Sequence, residues 1–359
     1  MRIDLELPKA APSSVAFGAG FVALDVIQGE NGDHVAAGGT CGNVMAILAW
    51  LGWTSVPVAR LGADAAARFV VEDLQHAGVK TAHLQQDKTS ATPIVIQRTV
   101  VDRHGERSHR FTMTCPECGQ WLPRFRPFVR EEANSVIEAT RENPSVFFFD
   151  RVSPGISTLM RWAREKGALI VFEPSSYSDD KHFRDAVEAC HILKFSQERL
   201  GHVRDFADSP HPAIVIETLG SEGLRLRWKG KWSAFNSFTA PRFIDAAGAG
   251  DWCTAGFVHV VGQSGAAGLK DLRKPTLEKA IRLGQALSAI NCGYEGARGA
   301  METLTRDRAA KVLRLLTGGE GALPDGDASR STDQARAIIC DICKPVAKKS
   351  PAKKAKRGG

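Results

Sequence analysis

A short turn of small residues that ends in a carboxylate is the most chemically suggestive segment of this chain. The turn Asp245–Asp251 reads Asp-Ala-Ala-Gly-Ala-Gly-Asp, and the apolar stretch Trp252–Val258 follows at once. Because the turn holds no large side chain, a ligand can approach its backbone, and the amides that open the following helix attract an anion. Asp251 would repel a bound phosphate, so we interpret it as a general base for a hydroxyl that attacks that phosphate. A packing turn with a helix-capping carboxylate is the alternative interpretation.

Two glycine-containing segments upstream complete a pattern. Residues 38–43 read Gly-Gly-Thr-Cys-Gly-Asn before an apolar helix-like run, and residues 218–223 read Thr-Leu-Gly-Ser-Glu-Gly. With the turn at 245–251, these segments resemble the ribokinase-type (PfkB) family of sugar and nucleoside kinases, over roughly residues 13 to 316. The positions that fit the first family signature are Gly38, Gly39, Asn43, Gly52 and Gly62. The second signature is matched except at Ala246, where the family has Thr.

The runs between these motifs predict the fold. Short, continuous apolar segments alternate with helix-like stretches, as in strands that are covered on both faces. These segments are Val15–Phe17, Val146–Phe149, Ala168–Phe172, His191–Lys194 and Ala213–Ile216. We expect an α/β fold with a doubly wound, mainly parallel sheet and helices on both faces, in which ligands gather at the carboxyl ends of the strands. A β-rich hairpin at 92–112 lies outside this pattern, and the resemblance implies a small β-sheet lid built from about 21–40 and 90–114.

The resemblance also implies roles for individual residues and ATP with Mg²⁺ as cofactor. Asp251 would be the catalytic base, and the anion hole for the transferring phosphoryl group would use the amides of Gly248, Ala249 and Gly250. Substrate hydroxyls would be bound by Asp25, Gly38, Gly39 and Asn43, with Asp150 as a further polar contact. The nucleotide pocket would be lined by Ser196, Thr218, Gly220, Gly223 and Gln285. Asp245 would help to hold a monovalent cation, K⁺, and the alternatives for Asp25 and Asn43 are a loop cap and a turn residue.

Two positions depart from the family pattern. Ala246 removes a hydroxyl from the turn, which changes its local hydrogen bonding and any dependence on the cation. In the family's Asn-x-x-Glu motif, which helps to organise magnesium and phosphate, Ser196 takes the Asn position and Arg199 takes the Glu position. Glu198 stands one residue early. Either Glu198 substitutes for the missing carboxylate or metal handling is altered.

Two Cys-x-x-Cys pairs suggest a second site. The first pair is Cys115 and Cys118, and the second is Cys340 and Cys343. Two such pairs can form one tetrahedral Cys₄ zinc site, which here would pin the C-terminal segment near the lid. A redox disulfide and unrelated thiols are the alternatives.

Charge is concentrated in the C-terminal tail. Residues 344–359 hold seven Lys and Arg residues and no acid, and the rest of the chain has 40 basic and 40 acidic residues. The chain before the tail is therefore neutral as a whole. We expect a kinase domain over 1–317, a linker with a short helix over 318–338, and a Cys-x-x-Cys segment with a disordered basic tail over 339–359. Nucleic acid would be contacted through the tail alone, where a purely solubilising role is the alternative. The start of the chain has no signal-peptide pattern and no apolar run is long enough to cross a membrane, so we expect a cytoplasmic location.

These observations favour an ATP-dependent kinase that phosphorylates a hydroxyl, of the hydroxymethyl kind, on a sugar or related polyol. A nucleoside kinase is the second candidate. It ranks behind the sugar kinase because a nucleoside needs an aromatic or apolar slot for its base, and the sequence does not locate one. A non-catalytic sugar sensor or nucleic-acid-associated regulator that kept the fold is the third, since Arg199 and the basic tail depart from the kinase pattern. A homodimer that pairs through the lid is also left open.

Overall fold

Two β-sheets and the helices around them form the part of the chain that the structure describes. The computed structural model describes residues 5–29, 32–101, 107–115, 118–177, 181–203 and 211–318. The strands are β1 Val15–Ala19, β2 Ala23–Gly29, β3 Gly32–Gly38, β4 Thr54–Gly62, β5 Leu84–Asp87, β6 Ile94–Val101, β7 Arg107–Thr112, β8 Val146–Phe149, β9 Leu169–Phe172, β10 Ile192–Ser196, β11 Ile214–Thr218, β12 Leu224–Trp228 and β13 Lys231–Phe235. The predicted C-terminal linker beyond Gly318, its short helix, the second cysteine pair and the basic tail lie outside the described residues.

The helices connect the strands in an alternating order. They are α1 Thr40–Trp50, α2 Ala65–His76, α3 Arg130–Ala139, α4 Pro154–Glu165, α5 Lys181–Ala189, α6 Gln197–Leu200, α7 Ala249–Val261, α8 Lys274–Asn291, α9 Gly299–Thr303 and α10 Arg306–Leu316. Side-chain caps open some of them: the Ser153 hydroxyl accepts from the Ile156 amide at the start of α4, and such caps satisfy otherwise unpaired amides. Among the described residues, no helix has the length and apolar character needed to span a membrane.

The large sheet confirms the predicted doubly wound fold. Its nine strands lie in the order β13-β12-β11-β10-β9-β8-β1-β4-β5, and every pair from β11 to β5 is parallel. Side chains alternate between the two faces of a strand. Val146 and Phe148 therefore pack into one core with α1, α7 and α8, whereas Phe147 and Phe149 pack into a second core with α3, α4 and α5. Helices cover both faces of the large sheet, which is why its inner strands are continuous apolar runs.

The antiparallel edge β11-β12-β13 was not predicted from the sequence. Strand β13 is exposed over four of its five residues, and its sequence Lys-Trp-Ser-Ala-Phe lacks the apolar continuity of the inner strands. An edge strand with one solvated face does not need that continuity, so periodicity gives a weak signal there.

A four-stranded sheet in the order β3-β2-β6-β7 forms the predicted lid. The expected hairpin is confirmed as the antiparallel pair β6–β7, and β2 joins it in parallel with Asp25 opposite Val95 and Ile27 opposite Gln97. Paired residues in register share one face of a sheet. These four side chains therefore lie on the same face of the lid, and Leu24, Val26, Ile94 and Ile96 on the other face join the main core.

An ion pair between buried Arg298 and half-buried Asp73 fastens β3, the inner edge strand of the lid, to the body of the protein. The Asp73 carboxylate on α2 accepts the backbone amide of Ala37 on β3 at 2.8 Å and also accepts a short hydrogen bond from the guanidinium of Arg298. Arg298 is 4% exposed. Breaking a buried, hydrogen-bonded pair is costly, so the hydrogen-bonded pair of Asp73 and Arg298 holds β3 against α2.

Candidate active site

The carboxyl ends of the parallel strands gather the predicted polar residues at one edge of the large sheet. Asp150 follows β8, Glu173 follows β9, and Ser196 and Thr218 end β10 and β11. The helices α1 and α7 pack against each other, and a hydrogen bond between their side chains, described below, brings Asn43 to the same region. This edge is where ligands bind in doubly wound folds.

The turn before α7 has the geometry expected of an anion site. Gly248 caps the helix with a φ of 70°, in the left-handed region that favours glycine. A Cβ at Gly248 would lie 2.4 Å from the carbonyl oxygen of Ala297, so no side chain fits there. The amide of Ala249, one of the three predicted for the anion hole, instead donates to the carbonyl oxygen of Ala246 at 3.2 Å. The open backbone at Gly248 and the helix start behind it favour a negatively charged ligand.

Asp251 is buried in the first turn of α7 and titrates near neutrality. Its Oδ2 accepts a hydrogen bond of 2.8 Å from Nδ2 of Asn43. Burial and then the charge of Glu173 raise the pKa of the Asp251 carboxyl from 3.8 to about 7, against opposing effects of the Asn43 hydrogen bond, Lys194 and Arg199. A carboxyl with a pKa near the working pH can both take up and release a proton.

The other end of the Asn43 amide has no partner. Asn43 is 4% exposed, and its Oδ1 is a buried acceptor without a hydrogen bond to any described residue. A buried acceptor left unpaired costs about 1–3 kcal/mol. An incoming hydroxyl or amine group would satisfy Oδ1 while Nδ2 stays on Asp251.

Asp25 lies on the lid face that looks toward this site. Its carboxylate packs so closely on Gly38 that a Cβ there would come within 1.9 Å of Oδ2. Burial raises the pKa of Asp25 from 3.8 to about 7, although Arg298 and the amide of Gly39 lower it. The structure thus brings the three predicted substrate residues Asp25, Gly38 and Gly39 together at the start of α1.

Asp150 holds the backbone where the lid begins. Its Oδ1 accepts from the amide of Phe21 at 2.8 Å, and its Oδ2 accepts from Nη1 of Arg151 at 3.1 Å. Burial raises the pKa of Asp150 to about 6, and Arg151 and the Phe21 amide oppose that shift. Each carboxylate oxygen therefore has a protein donor, and a role of Asp150 in substrate binding stays a prediction.

A buried ion pair that was not predicted from the sequence lies against the turn before α7. Nζ of Lys194, on β10, donates to Oε1 of Glu173, and Oε2 of Glu173 accepts from the hydroxyl of Thr254 on α7. A Cβ built on Gly250 would lie 3.5 Å from Nζ of Lys194 and 3.7 Å from Oε1 of Glu173. Lys194 is 2% exposed, so its positive charge is fixed beside the turn rather than solvated.

The predicted nucleotide residues divide into two groups. Thr218 ends β11, where its hydroxyl donates to the carbonyl oxygen of Phe195 at 3.4 Å, next to Ser196 at the end of β10. Gly223 and Gln285 meet at one carbonyl: a Cβ on Gly223 would lie 2.1 Å from the oxygen of Phe235, which accepts Nε2 of Gln285 at 3.2 Å. Gly220 opens the short helical turn Gly220–Glu222 between these groups.

Asp245, the first residue of the turn Asp245–Asp251, is buried, and N–H groups surround its carboxylate. Oδ1 accepts from the amide of Ala247 at 2.6 Å, and Oδ2 accepts from the amide of Gly296 at 2.8 Å and from Nε2 of Gln97 at 3.2 Å. Gln97 belongs to the lid strand β6. The predicted cation ligand is therefore in direct contact with the lid.

Of the predicted zinc ligands, one pair can be located. Cys115 is buried and Cys118 is exposed, and the amide of Gly119 donates to the carbonyl oxygen of Cys115 at 2.9 Å, which closes a tight turn. Cys340 and Cys343 lie outside the described residues. Within the described residues, no group of three or more His, Cys, Asp or Glu side chains is placed to hold a metal ion.

Comparison with known proteins identifies the family. The model of the pfkB family carbohydrate kinases matches residues 23–304, a span that includes Asp25, Asn43 and the turn before α7. The chain belongs to the pfkB family of carbohydrate kinases. It is thus a carbohydrate kinase, as the three motifs in the sequence predicted.

Individual relatives and solved structures agree with this assignment. A fructokinase of Escherichia coli is 25% identical over 314 residues, which cover 79% of this chain and 94% of that enzyme. The structure of a fructokinase from Xylella fastidiosa with bound ATP superposes with a TM-score of 0.66 at 18% identity, covering 85% of this chain and 99% of that one. A fructokinase double mutant of Vibrio cholerae O395, in its fructose, ADP and potassium ion bound form, gives 0.60 at 21% identity, covering 82% and 96%. At these identities the two structures establish the shared ribokinase-like fold.

Three residues at the site of this kinase were missed as site residues in the sequence. Glu173 and Lys194 each stand at a predicted strand end. A charged residue beside a buried strand could have indicated a site, because a buried charge must be paired. Gln97 sits in a β-rich run with no local feature that distinguishes it. Its contact with Asp245 spans 148 positions, which no spacing rule can anticipate.

Replacing Asp251 by Asn will raise thermal stability, and more so at high pH. The folded-state pKa of about 7 lies above the ordinary 3.8, so the folded state favours the protonated carboxyl and the ionised form destabilises it increasingly as pH rises from 4 to above 7. Asn imitates the neutral carboxyl. Melting temperatures of both proteins at pH 5 and pH 8 will show a larger gain for Asp251→Asn at pH 8; an equal gain at both pH values would contradict the burial argument.

Proposed function

We propose that this kinase transfers the γ-phosphoryl group of ATP to a hydroxyl, of the hydroxymethyl kind, on an uncharged sugar or related polyol. The observation that carries the proposal is the orientation of Asn43. Its Nδ2 is bound to the buried carboxylate of Asp251 while its Oδ1 has no partner among the described residues. A substrate hydroxyl that donates to Oδ1 of Asn43 would hold the substrate beside Asp251. Asp251 would then take the proton from a neighbouring hydroxyl of the same substrate.

Asp251 supplies the general base in this proposal. The substrate hydroxyl loses its proton to the Asp251 carboxylate as its oxygen attacks the γ-phosphorus, the new O–P bond forms, and the bond to the β-phosphate oxygen breaks to release ADP. The proton then passes to solvent. The pKa of about 7 for Asp251 supports this role. At neutral pH the carboxylate is present, and it is basic enough to accept a proton.

The developing charge on the phosphoryl group needs positive partners. The amides at the start of α7, the helix dipole behind them and the buried Nζ of Lys194 beside Gly250 all favour that charge. Glu173 keeps Lys194 in place through its ion pair, and Thr254 keeps Glu173 in place. We assign Lys194 as a catalytic cation and Glu173 as its positioning residue.

The proposed phosphoryl donor is ATP with Mg²⁺, as the bound ATP of the Xylella fastidiosa relative suggests. Mg²⁺ keeps several waters and binds substrate phosphates with one or two carboxylates. The exposed carboxylate of Glu198, next to Ser196 at the end of β10, is the side chain that would hold it. When bound, Mg²⁺ neutralises phosphate charge. The groups proposed to face the nucleotide are Ser196, Thr218, Gly220, Gly223 and Gln285.

The charges around the substrate region favour an uncharged acceptor. Asp25, Asp150 and Asp251 are three carboxyl groups in one region, and a phosphorylated sugar would be repelled by them. Two of the nearby cations are engaged: Arg298 pairs with Asp73, and Arg151 donates to Asp150. The fructose-bound Vibrio cholerae relative is consistent with a neutral sugar.

A screen of acceptors separates the candidate functions. With ATP and Mg²⁺, we expect ADP formation with one or more neutral sugars or polyols, and a fall in kcat of about a thousandfold for Asp251→Asn, which removes general-base catalysis. Asp271→Asn, at an exposed aspartate, is the matched control and should keep full activity. Turnover confined to nucleosides would favour the nucleoside kinase, and binding of a sugar without turnover would favour the non-catalytic sensor. Unchanged activity of Asp251→Asn would exclude Asp251 as the base.

The proposed role of Lys194 is tested by removing its ion pair as a whole. Lys194→Met with Glu173→Gln deletes both charges without leaving either one buried alone. We expect kcat to fall about a hundredfold with little change in the sugar KM, since the cation acts on the transition state. The control is the double substitution Lys181→Met with Asp185→Asn, which deletes an exposed ion pair on α5. Equal kcat values for the two double variants would refute the assignment.

We further propose a structural zinc ion bound by the two Cys-x-x-Cys pairs. The proposal is supported by the spacing of the two pairs, and the hydrogen bond from the Gly119 amide to the carbonyl oxygen of Cys115 keeps the first pair in one local segment. Zinc would supply a cross-link between this turn and the C-terminal segment.

Zinc content measures that proposal directly. The full chain purified under reducing conditions should contain one zinc per molecule by elemental analysis, and Cys118→Ser should lose it. Cys190→Ser, at a buried thiol outside both pairs, should retain it. A zinc-free wild type would rule the site out.

The remaining partner predictions stay predictions. Pairing through the lid is consistent with the exposed side chains of Met113 and Trp121 next to the lid edge β7. Contact with nucleic acid rests on the basic tail, which lies outside the described residues. A cytoplasmic location rests on the sequence alone.

A further inference from the structure

The surroundings of Asp245 do not suit the monovalent cation that the family resemblance implies. K⁺ would need free oxygen lone pairs, and a carboxylate has about four. Three are taken: by the amides of Ala247 and Gly296 and by Nε2 of Gln97. The two amides belong to the backbone and stay in any variant, so Nε2 of Gln97 is the one side-chain donor among these three, and it directs a positively polarised hydrogen at Oδ2, which a cation would otherwise bind.

The nearby backbone oxygens each accept an N–H group with one of their two lone pairs. The carbonyl of Ala246 accepts the amide of Ala249 at 3.2 Å, and the carbonyls of Ala247 and Gly296 accept Nδ2 of Asn291 at 3.0 and 3.3 Å. The carbonyl of Ala297 accepts Nε1 of Trp252 at 2.9 Å. Protein N–H groups thus cross-link residues 245–252 to residues 291–297.

Gln97 differs from the other two donors to Asp245, because it is a side chain from the lid and they are backbone amides. Asp245 is 2% exposed and Gln97 is also 2% exposed, so their contact is shielded from water. Ile27 pairs with Gln97 in the lid and packs against Gly296, where a Cβ would lie 3.2 Å from Cδ1 of Ile27. A buried carboxylate is tolerated when hydrogen bonds replace its hydration, and Gln97 provides one of those bonds without adding charge.

We infer that Gln97 takes the place of the monovalent cation at Asp245 and couples the turn Asp245–Asp251 to the lid. This inference rests on the proposed function of that turn. Gln97 is a positioning residue: it touches neither substrate nor nucleotide, but fixes the carboxylate that organises the amides before α7. The kinase then needs no K⁺, and the turn is correctly formed when β6 lies over it.

Thermal unfolding tests the inference without any substrate. Melting temperatures are measured in KCl and in choline chloride at equal ionic strength. The wild type should melt at the same temperature in both salts. Gln97→Ala removes the donor and opens space, so K⁺ should bind at Asp245 and raise its melting temperature relative to choline, because a ligand of the folded state stabilises it. Gln97→Leu, which fills the space, should show no K⁺ effect.

Kinetics provide the second measurement. Gln97→Ala in choline should lose about tenfold in kcat, the scale of lost positioning contacts around a site, and K⁺ should restore at least part of it. Gln97→Leu should lose as much without recovery. Gln28→Ala is the matched control, since Gln28 lies on the neighbouring lid strand and donates to Asp33 within the lid at 3.0 Å; it should behave as the wild type in both salts.

Two results would overturn the inference: a wild type that K⁺ stabilises or activates, or a Gln97→Ala variant that shows no K⁺ response in melting temperature. Failure of the proposed function has a different signature. An enzyme that turns over no acceptor at all would refute the kinase proposal, whereas the melting temperatures would still report whether Gln97 or K⁺ occupies the carboxylate of Asp245.

Discussion

The hydrogen bond from Asn43 to Asp251 is the interaction on which the site depends. It joins the first helix to a helix more than two hundred positions later, and it is made inside the protein, where an unpaired carboxylate would be costly. When the Asp251 carboxyl is ionised it can only accept, so Nδ2 of Asn43 faces it and Oδ1 points away from it. The same bond therefore sets the position of the proposed base and creates the acceptor proposed to hold its substrate.

Five buried or half-buried carboxylates lie in this region, and their partners distinguish them. Glu173 is neutralised by Lys194, Asp245 is surrounded by N–H donors, and Asp150 holds the start of the lid. Asp25 and Asp251 have the weakest compensation, so burial raises the pKa of each to about 7. Groups of one chemical type thus acquire different protonation behaviour from their surroundings, which is how a site assigns acid, base and structural roles.

The sequence predicted those parts of the molecule that depend on local spacing. The turn at 245–251, the glycines at 38 and 39 and the continuous apolar strands each carry their signal within a few residues, and the fold and family follow from them. Gln97 carries no such signal, because its importance comes from a contact with Asp245, which the fold brings close from a distant position. Lys194 carries a charge at a predicted buried strand end, but its partner Glu173 is identified only by the fold. The exposed strand β13 was missed for a different reason: a solvated edge does not require a recognisable apolar pattern.

The attachment of β3 through Asp73 divides the lid into two regions with different freedom to vary. Its inner half, which carries Asp25 and Gln97, is bound to α2, to Arg298 and to the turn before α7, so a substitution there disturbs the body of the enzyme. The outer edge at β7 pairs with β6 and carries the exposed side chain of Phe111. Substitutions at that exposed position leave the inner contacts of Asp25, Gln97 and Asp73 unchanged, which makes the outer lid a natural place to redesign this kinase.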